Sequence, residues 1–169
     1  VHVVSARLLL TYAFTPASNQ GSNAVKTLVF SATPGTATTS ISAGQSRDFP
    51  ITFYIGDELT ALKNAFFEVT GVTASTASTT LTLSLSGGAG SCVLTRVLDS
   101  SSQPNTFRIL HDVTSCINVS AKGNYTRTLT VTSGSSAVHV YSVLLRITYR
   151  HTPPSSGGYR PSGILISPV

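Results

Sequence analysis

The sequence predicts an all-β protein: an antiparallel β-sandwich, jelly-roll or immunoglobulin-like, with an extra N-terminal strand that pairs with a neighbouring module. Three observations predict it. Short stretches of alternating apolar and polar residues fill most of the chain, and alternation at period two is the mark of a half-buried strand. Clusters of Gly, Ser, Thr, Asn and Pro separate those stretches: TPGTATTS, SGGAGS, DSSSQPN, AKGN and TSGSS. The chain also repeats itself. Residues 1–16, VHVVSARLLLTYAFTP, and residues 138–153, VHVYSVLLRITYRHTP, are identical at nine of sixteen positions, at an offset of 137 without a gap.

Taken in order, the first strand covers 1–14. One parity carries His2, Val4, Ala6, Leu8, Leu10, Tyr12 and Phe14; the other carries Ser5, Arg7 and Thr11. Strands follow at 25–32, 48–55, 65–72, 79–85, 92–98, 106–113 and 126–132. The last strand, 137–150, presents His139, Tyr141, Val143, Leu145, Ile147, Tyr149 and His151 on its apolar face. A Thr-Pro pair ends each copy of the repeat, and proline cannot donate to a sheet ladder. The stretch DELTALKN, 57–64, reads as a single helical turn capped by Asp57. The predicted interior is Val4, Leu8, Leu10, Val143, Leu145, Ile147, Phe53, Phe67, Leu81 and Leu83.

A repeat this long with one copy of its interior divides the chain into parts of more than one module. Residues 1–16 are equivalent to the last strand of a preceding module. Residues 17–25 are a linker, 26–153 a complete sandwich, and 154–169 a linker and the start of a following module. The inter-module strand would present Val4, Leu8, Leu10, Tyr12 and Phe14 to its host.

Two cysteines flank a polar turn at 101–104. A hairpin centred there sets Cys92 opposite Cys116, and the pair is expected as a disulfide in a chain with the composition of a secreted protein. The sequons Asn118-Val119-Ser120 and Asn124-Tyr125-Thr126 follow, each a candidate N-glycan acceptor at Asn118 and Asn124.

Charged residues make up 10% of the chain, against roughly 25% in ordinary soluble domains, while Ser and Thr exceed a quarter. Hydrophobic content of 41% is enough to bury a core. The net charge of +5 reflects scarce acids, and the basic residues are scattered. That argues against nucleic acid, which needs a concentrated basic footprint. No apolar run is long enough to span a membrane as a helix.

Catalytic signatures are lacking. His111 and Asp112 are two members of a possible triad, but as neighbours in a strand they point to opposite faces, and no G-x-S-x-G turn accompanies them. The four histidines lack metal-ligand spacing. Asp57-Glu58 is not part of a calcium-loop pattern. No enzyme activity, cofactor or metal is expected.

Sandwich modules in tandem, TP-linkers, low charge, abundant Ser/Thr and sequons together resemble the extracellular fibre and adhesin-stalk proteins of prokaryotic cell surfaces. The resemblance runs over the whole chain in style and has no motif from which a functional residue carries over. It implies a structural segment of a surface filament, assembled head to tail by strand exchange with copies of itself or with adjacent modules. The alternatives are a carbohydrate-binding or adhesin sandwich, with glycans as partners, and a viral jelly-roll coat protein. The lack of Trp, and Tyr and Phe mostly on inward parities, favour the structural role.

Overall fold

The structure, a computed structural model, describes residues 24–32, 38–99 and 106–152. The predicted strand 1–14, with Val4, Leu8, Leu10, Tyr12 and Phe14, and the segment 154–169 lie outside the described residues. Among the described residues there are nine strands: β1 (Ala24–Ser31), β2 (Thr39–Ile41), β3 (Ser46–Ile55), β4 (Leu59–Thr73), β5 (Thr79–Ser86), β6 (Cys92–Leu98), β7 (Thr106–Asp112), β8 (Gly123–Ser133) and β9 (Val138–His151). There is no helix among the described residues.

All pairings are antiparallel. Sheet I runs β1-β9-β4-β7, and sheet II runs β3-β8-β5-β6. β2 continues the edge of β9 beyond β1, pairing with Val138–Val140. The pairs are nested: β5 with β6, β4 with β7, β3 with β8, and β1 and β2 with β9. A long two-stranded ribbon, closed at the β5–β6 turn, is thus folded back and forth between the two sheets. Pairings of β4 with β9 and of β5 with β8 then close it into a jelly roll.

Strict alternation explains why these sequences are strands. In β3, Phe49, Ile51, Phe53 and Ile55 are buried, whereas Asp48, Pro50, Thr52 and Tyr54 face water. In β5, Leu81, Leu83 and Leu85 point inward, and in β8 Leu129 and Val131 do the same. Seven of the ten predicted core residues lie in the described part, and all seven are buried: Phe53, Phe67, Leu81, Leu83, Val143, Leu145 and Ile147. Each such side chain contributes roughly 1.5–3 kcal/mol.

Three expectations are corrected. Residues 57–64 form no helical turn: Leu59–Asn64 are the first part of β4. Register shifts leave Thr60 and Lys63 as extra residues against β9. Two bulges so close together space Leu59, Leu62 and Ala65 three apart, which imitates a helical period. The parity of β9 also changes once. Tyr141 is an extra residue between the Thr70–Ser142 and Gly71–Val140 pairs. Val138 and Val140 are therefore buried, Tyr141 is exposed, and His139 leaves the core face. Lastly, residues 92–116 form no hairpin: β6 belongs to sheet II and β7 to sheet I. The strand β2 was not expected, because three residues are too few for a periodic signal.

Gly71 sits at the β9 bulge. A Cβ there would collide with the His139 carbonyl oxygen and lie 2.6 Å from Phe107 Cζ. Gly71→Ala should therefore cost about 1–3 kcal/mol by overpacking, measured as a lowered midpoint in chemical denaturation. An unchanged midpoint would mean that the bulge does not depend on this close approach.

Candidate functional site

Four strands of sheet I present their outer side chains to one shallow groove. Thr27 comes from β1, Arg146 and Thr148 from β9, Asn64, Phe66 and Glu68 from β4, and Arg108 and Leu110 from β7. Its volume is about 350 Å³. Glu68 is its electrostatic centre. Arg108 forks onto the carboxylate, with Nε donating to Oε1 at 2.7 Å and Nη2 to Oε2 at 3.1 Å. Arg146 stands 3.8 Å away on the other side. The hydrogen bond from Arg108 holds Glu68 below the usual carboxylate range, against an opposing effect of burial. Two guanidinium groups and one carboxylate leave a net positive charge above Phe66 and Leu110. That arrangement can hydrogen-bond an acidic or polyhydroxylated ligand, but the groove holds no pair of free carboxylates and no nucleophile with a base.

A second cluster lies where β9 ends. Asp57 Oδ2 accepts from Lys26 Nζ at 2.8 Å and from the Tyr149 hydroxyl at 2.6 Å. His151 Nδ1, buried and without a hydrogen-bond partner, is 3.9 Å from Asp57 Oδ1. Burial pushes the Tyr149 phenol up, and its bond to Asp57 adds to that. Burial raises the Asp57 pKa, but the hydrogen bonds from Lys26 and Tyr149, together with the charges of Lys26 and His151, outweigh it, so the net shift is downward. This cluster fastens the first residues of β1 and the β3–β4 turn to the last residues of β9.

The disulfide corner is the third. Cys92 and Cys116 are bonded, with their Cα atoms 6.1 Å apart. The bond joins the start of β6 in sheet II to the turn after β7 in sheet I. On the chain-entropy account a loop of 24 residues contributes about 3–4 kcal/mol. Ala89 N donates to the Cys116 carbonyl at 2.9 Å, so the β5–β6 turn is tied to the same place. Arg127 is buried without a carboxylate. Its Nε donates to Ile117 O at 2.6 Å, Nη2 to Asn118 O at 2.7 Å and Nη1 to Thr126 O at 2.8 Å, and its head lies 5.3 Å from the Tyr125 ring centre. Three carbonyls thus disperse its charge and fix the turn. Asn118 has φ 50°, a left-handed conformation that asparagine tolerates. Both Asn118 and Asn124 are exposed, as are Ser120 and Thr126 of their sequons.

His111 and Asp112 take opposite faces of β7. His111 is buried, with Nε2 3.3 Å from the Cys92 carbonyl; Asp112 is exposed and accepts from Thr114 N and Oγ1 at 2.9 and 2.7 Å. The two side chains do not form part of a triad. No group of three His, Cys, Asp or Glu side chains among the described residues could hold a metal ion. Nor is any helix among them long and apolar enough to cross a membrane. The sequence marked the disulfide and the sequons, but not the groove. Glu68, Arg108 and Arg146 are far apart in the chain and meet only through the register of β7, β4 and β9.

No protein-family model matches the chain, and no curated protein matches it. It is similar in fold to part of a β-porphyranase of glycoside hydrolase family 86 from the gut bacterium Bacteroides plebeius. The TM-score is 0.51 at 21% identity, over 85% of this chain and 23% of that one. It is also similar to part of dimeric latent PorU from Porphyromonas gingivalis, with a TM-score of 0.48, 9% identity, 90% of this chain and 15% of that one. A third similarity is to the CBM36-1 domain of a multidomain xylanase from the hindgut metagenome of Trinervitermes trinervoides. Here the TM-score is 0.34 at 11% identity, over 72% of this chain and 96% of that domain. The chain spans less than a quarter of the first two proteins. The porphyranase similarity supports a β-sandwich fold and nothing beyond it.

Burial holds the His111 imidazole below the ordinary histidine value of 6.5, and the Cys92 carbonyl and Asp112 offset only part of this. The folded state therefore binds fewer protons than the unfolded state as pH falls below that value. Its contribution is complete above pH 6.5 and declines below it. Glu68, Asp57 and Asp112 are all held low, so they affect stability only below about pH 5. Thermal melts should show a falling melting temperature between about pH 6.5 and 5. His111→Gln should flatten that segment, and an equal slope in the variant would assign it elsewhere.

Proposed function

We propose that the chain is a structural module of an extracellular surface fibre, in which residues 1–14 of one copy enter a sheet of the next. The observation that carries this reading is the place of β9. The sandwich already contains one copy of the repeated strand, and that copy is central: β1 and β2 pair with one edge of β9 and β4 with the other. The interior position of that strand in sheet I is thus taken by β9, and β1 and β7 leave only edges. The other copy, residues 1–14, carries an apolar parity of Val4, Leu8, Leu10, Tyr12 and Phe14 that would be exposed unless a sheet covers it. Burying five such side chains is worth about 8–12 kcal/mol before ordering costs. Repeated head to tail, such a contact does not close and yields a filament.

The remaining features agree with an extracellular setting. A single disulfide suits an oxidising compartment. Two exposed sequons offer sites for N-glycans, which would hydrate a surface poor in charge. The groove beside Glu68 favours a second reading, a sandwich module that binds carbohydrate through the outer face of sheet I; a glycan array would test it directly.

Purified chain should form filaments that lengthen with concentration in negative-stain images, and deletion of residues 1–14 should abolish them. A chain that stays monomeric at all concentrations, or a truncated chain that polymerises as before, would end the fibre reading. Peptides that contain Asn118 and Asn124, taken from material of the native source, should be heavier than their sequence mass by that of a glycan on at least one of them. Both peptides recovered at the unmodified mass would remove the glycoprotein reading.

A further inference from the structure

We infer that the acceptor for the donated strand is the β6/β7 side of the sandwich, where residues 1–14 of a second copy pair with the free edge of β6. This rests on the fibre reading above and names its docking site. Every copy fills its own β9 position, so a donated strand must add to an edge.

The sandwich has two open sides. On one, β1 faces β3 across the core. That side is guarded. Pro50 lies in edge strand β3 and has no N–H to offer a new partner. The Phe30 ring of β1 packs on Phe53 of β3 at 5.0 Å, and Phe53 stacks on Tyr125 at 5.5 Å, which closes the gap between the sheets. Lys26 stands on the β1 edge, a residue type that discourages edge pairing.

The other side has none of these devices on β6. CVLTRVL is rich in β-forming residues and holds no proline or lysine. Val93 and Val97 are 57% and 64% exposed on its outer face. On its inner face Leu94 and Leu98 are only partly covered, as is Phe107 across the gap in β7. Arg96 is the one charge on β6 and is itself exposed, so its long side chain can reach water past an added strand. Among the described residues β6 has a strand neighbour on one side only, β5. Its first residue is nevertheless fixed by the Cys92–Cys116 bond, so the edge is presented as a firm template. A strand of fourteen residues with one apolar face covers all seven residues of β6, and with that face inward it covers Leu94, Leu98 and Phe107. Main-chain bonds along the edge and an apolar contact on one face are the requirements of strand addition.

Hydrogen–deuterium exchange on the full chain, assembled and dilute, tests the site. Amides of residues 92–98 should exchange at least tenfold more slowly in the assembled state. Protection gained at β1 or β3, with 92–98 unchanged, would overturn the assignment. Two full-length variants separate this inference from the reading beneath it. Val93→Lys/Val97→Lys changes only exposed positions and should raise the concentration needed for assembly at least tenfold, with the melting temperature of the monomer retained. Leu8→Lys/Leu10→Lys in the donor strand should do the same. If the donor variant fails to assemble but the β6 variant assembles like the parent, the β6 site is wrong and the fibre reading stands. If the donor variant also assembles like the parent, both are wrong.

Discussion

The double pairing of β9 is the constraint on which the rest of the sandwich depends. This 14-residue strand is bonded along one edge to β1 and β2 and along the other to β4. Among the described residues it is the only strand that joins the N-terminal edge of sheet I to its centre. Without it β1 and β2 would have no ladder, and the apolar residues of β4 would face a half-built sheet. The strand contributes Val138, Val140, Val143, Leu145, Ile147 and Tyr149 to the core. To do so it must shift parity once, at Tyr141, and the shift is possible because β4 offers Gly71 opposite the bulge.

Outside the core, hydroxyl pairs do much of what charge does in other proteins. Thr27 bonds Thr148 at 3.0 Å, and Thr70 bonds Ser142 at 2.7 Å on sheet I. Ser46 with Thr132, Thr52 with Thr126, and Thr82 with Thr95 form the same contact on sheet II, at 2.8, 3.2 and 3.2 Å. Each pair is directly opposite in the ladder. Cross-strand Thr pairs of this kind contribute about 0.2–1 kcal/mol apiece. They suit β-branched residues that already favour strands, and unlike surface ion pairs they are insensitive to salt. The low charge of the chain thus follows from how its outer faces are built.

The alternating strands were legible because burial on one face fixes every second residue. Where alternation is intact, as in β3, β5 and β8, sequence and structure agree within a few residues at each end. Where a bulge intervenes, sequence reading fails in a characteristic way: Leu59, Leu62 and Ala65 took on helical spacing, and His139 and Tyr141 were placed on the wrong face. The disulfide was found from a hairpin that does not exist. Cys92 and Cys116 do lie at the same end of their strands, but those strands face each other across the core. Symmetric placement about a turn holds for a ribbon folded between two sheets as well as for one lying flat. The Glu68 groove was illegible, because nothing in the sequence sets the register that brings Arg108 and Arg146 to the same carboxylate.

The same register bears on the repeated strand. A sequence fit for the middle of a sheet has apolar residues on one face and two edges able to bond. β9 satisfies both edges within its own module. A strand of this kind with both edges and one apolar face left in water would not be stable alone. A flexible tail of ordinary composition would carry polar residues instead. Residues 1–16 keep VHV, TY and TP in the same order as β9, and with them the pattern of a sheet-forming strand. The cost of such a segment in a lone molecule is exposed apolar surface. In the proposed assembly that cost would become the driving force, and β6, an edge strand without proline or lysine, would receive it.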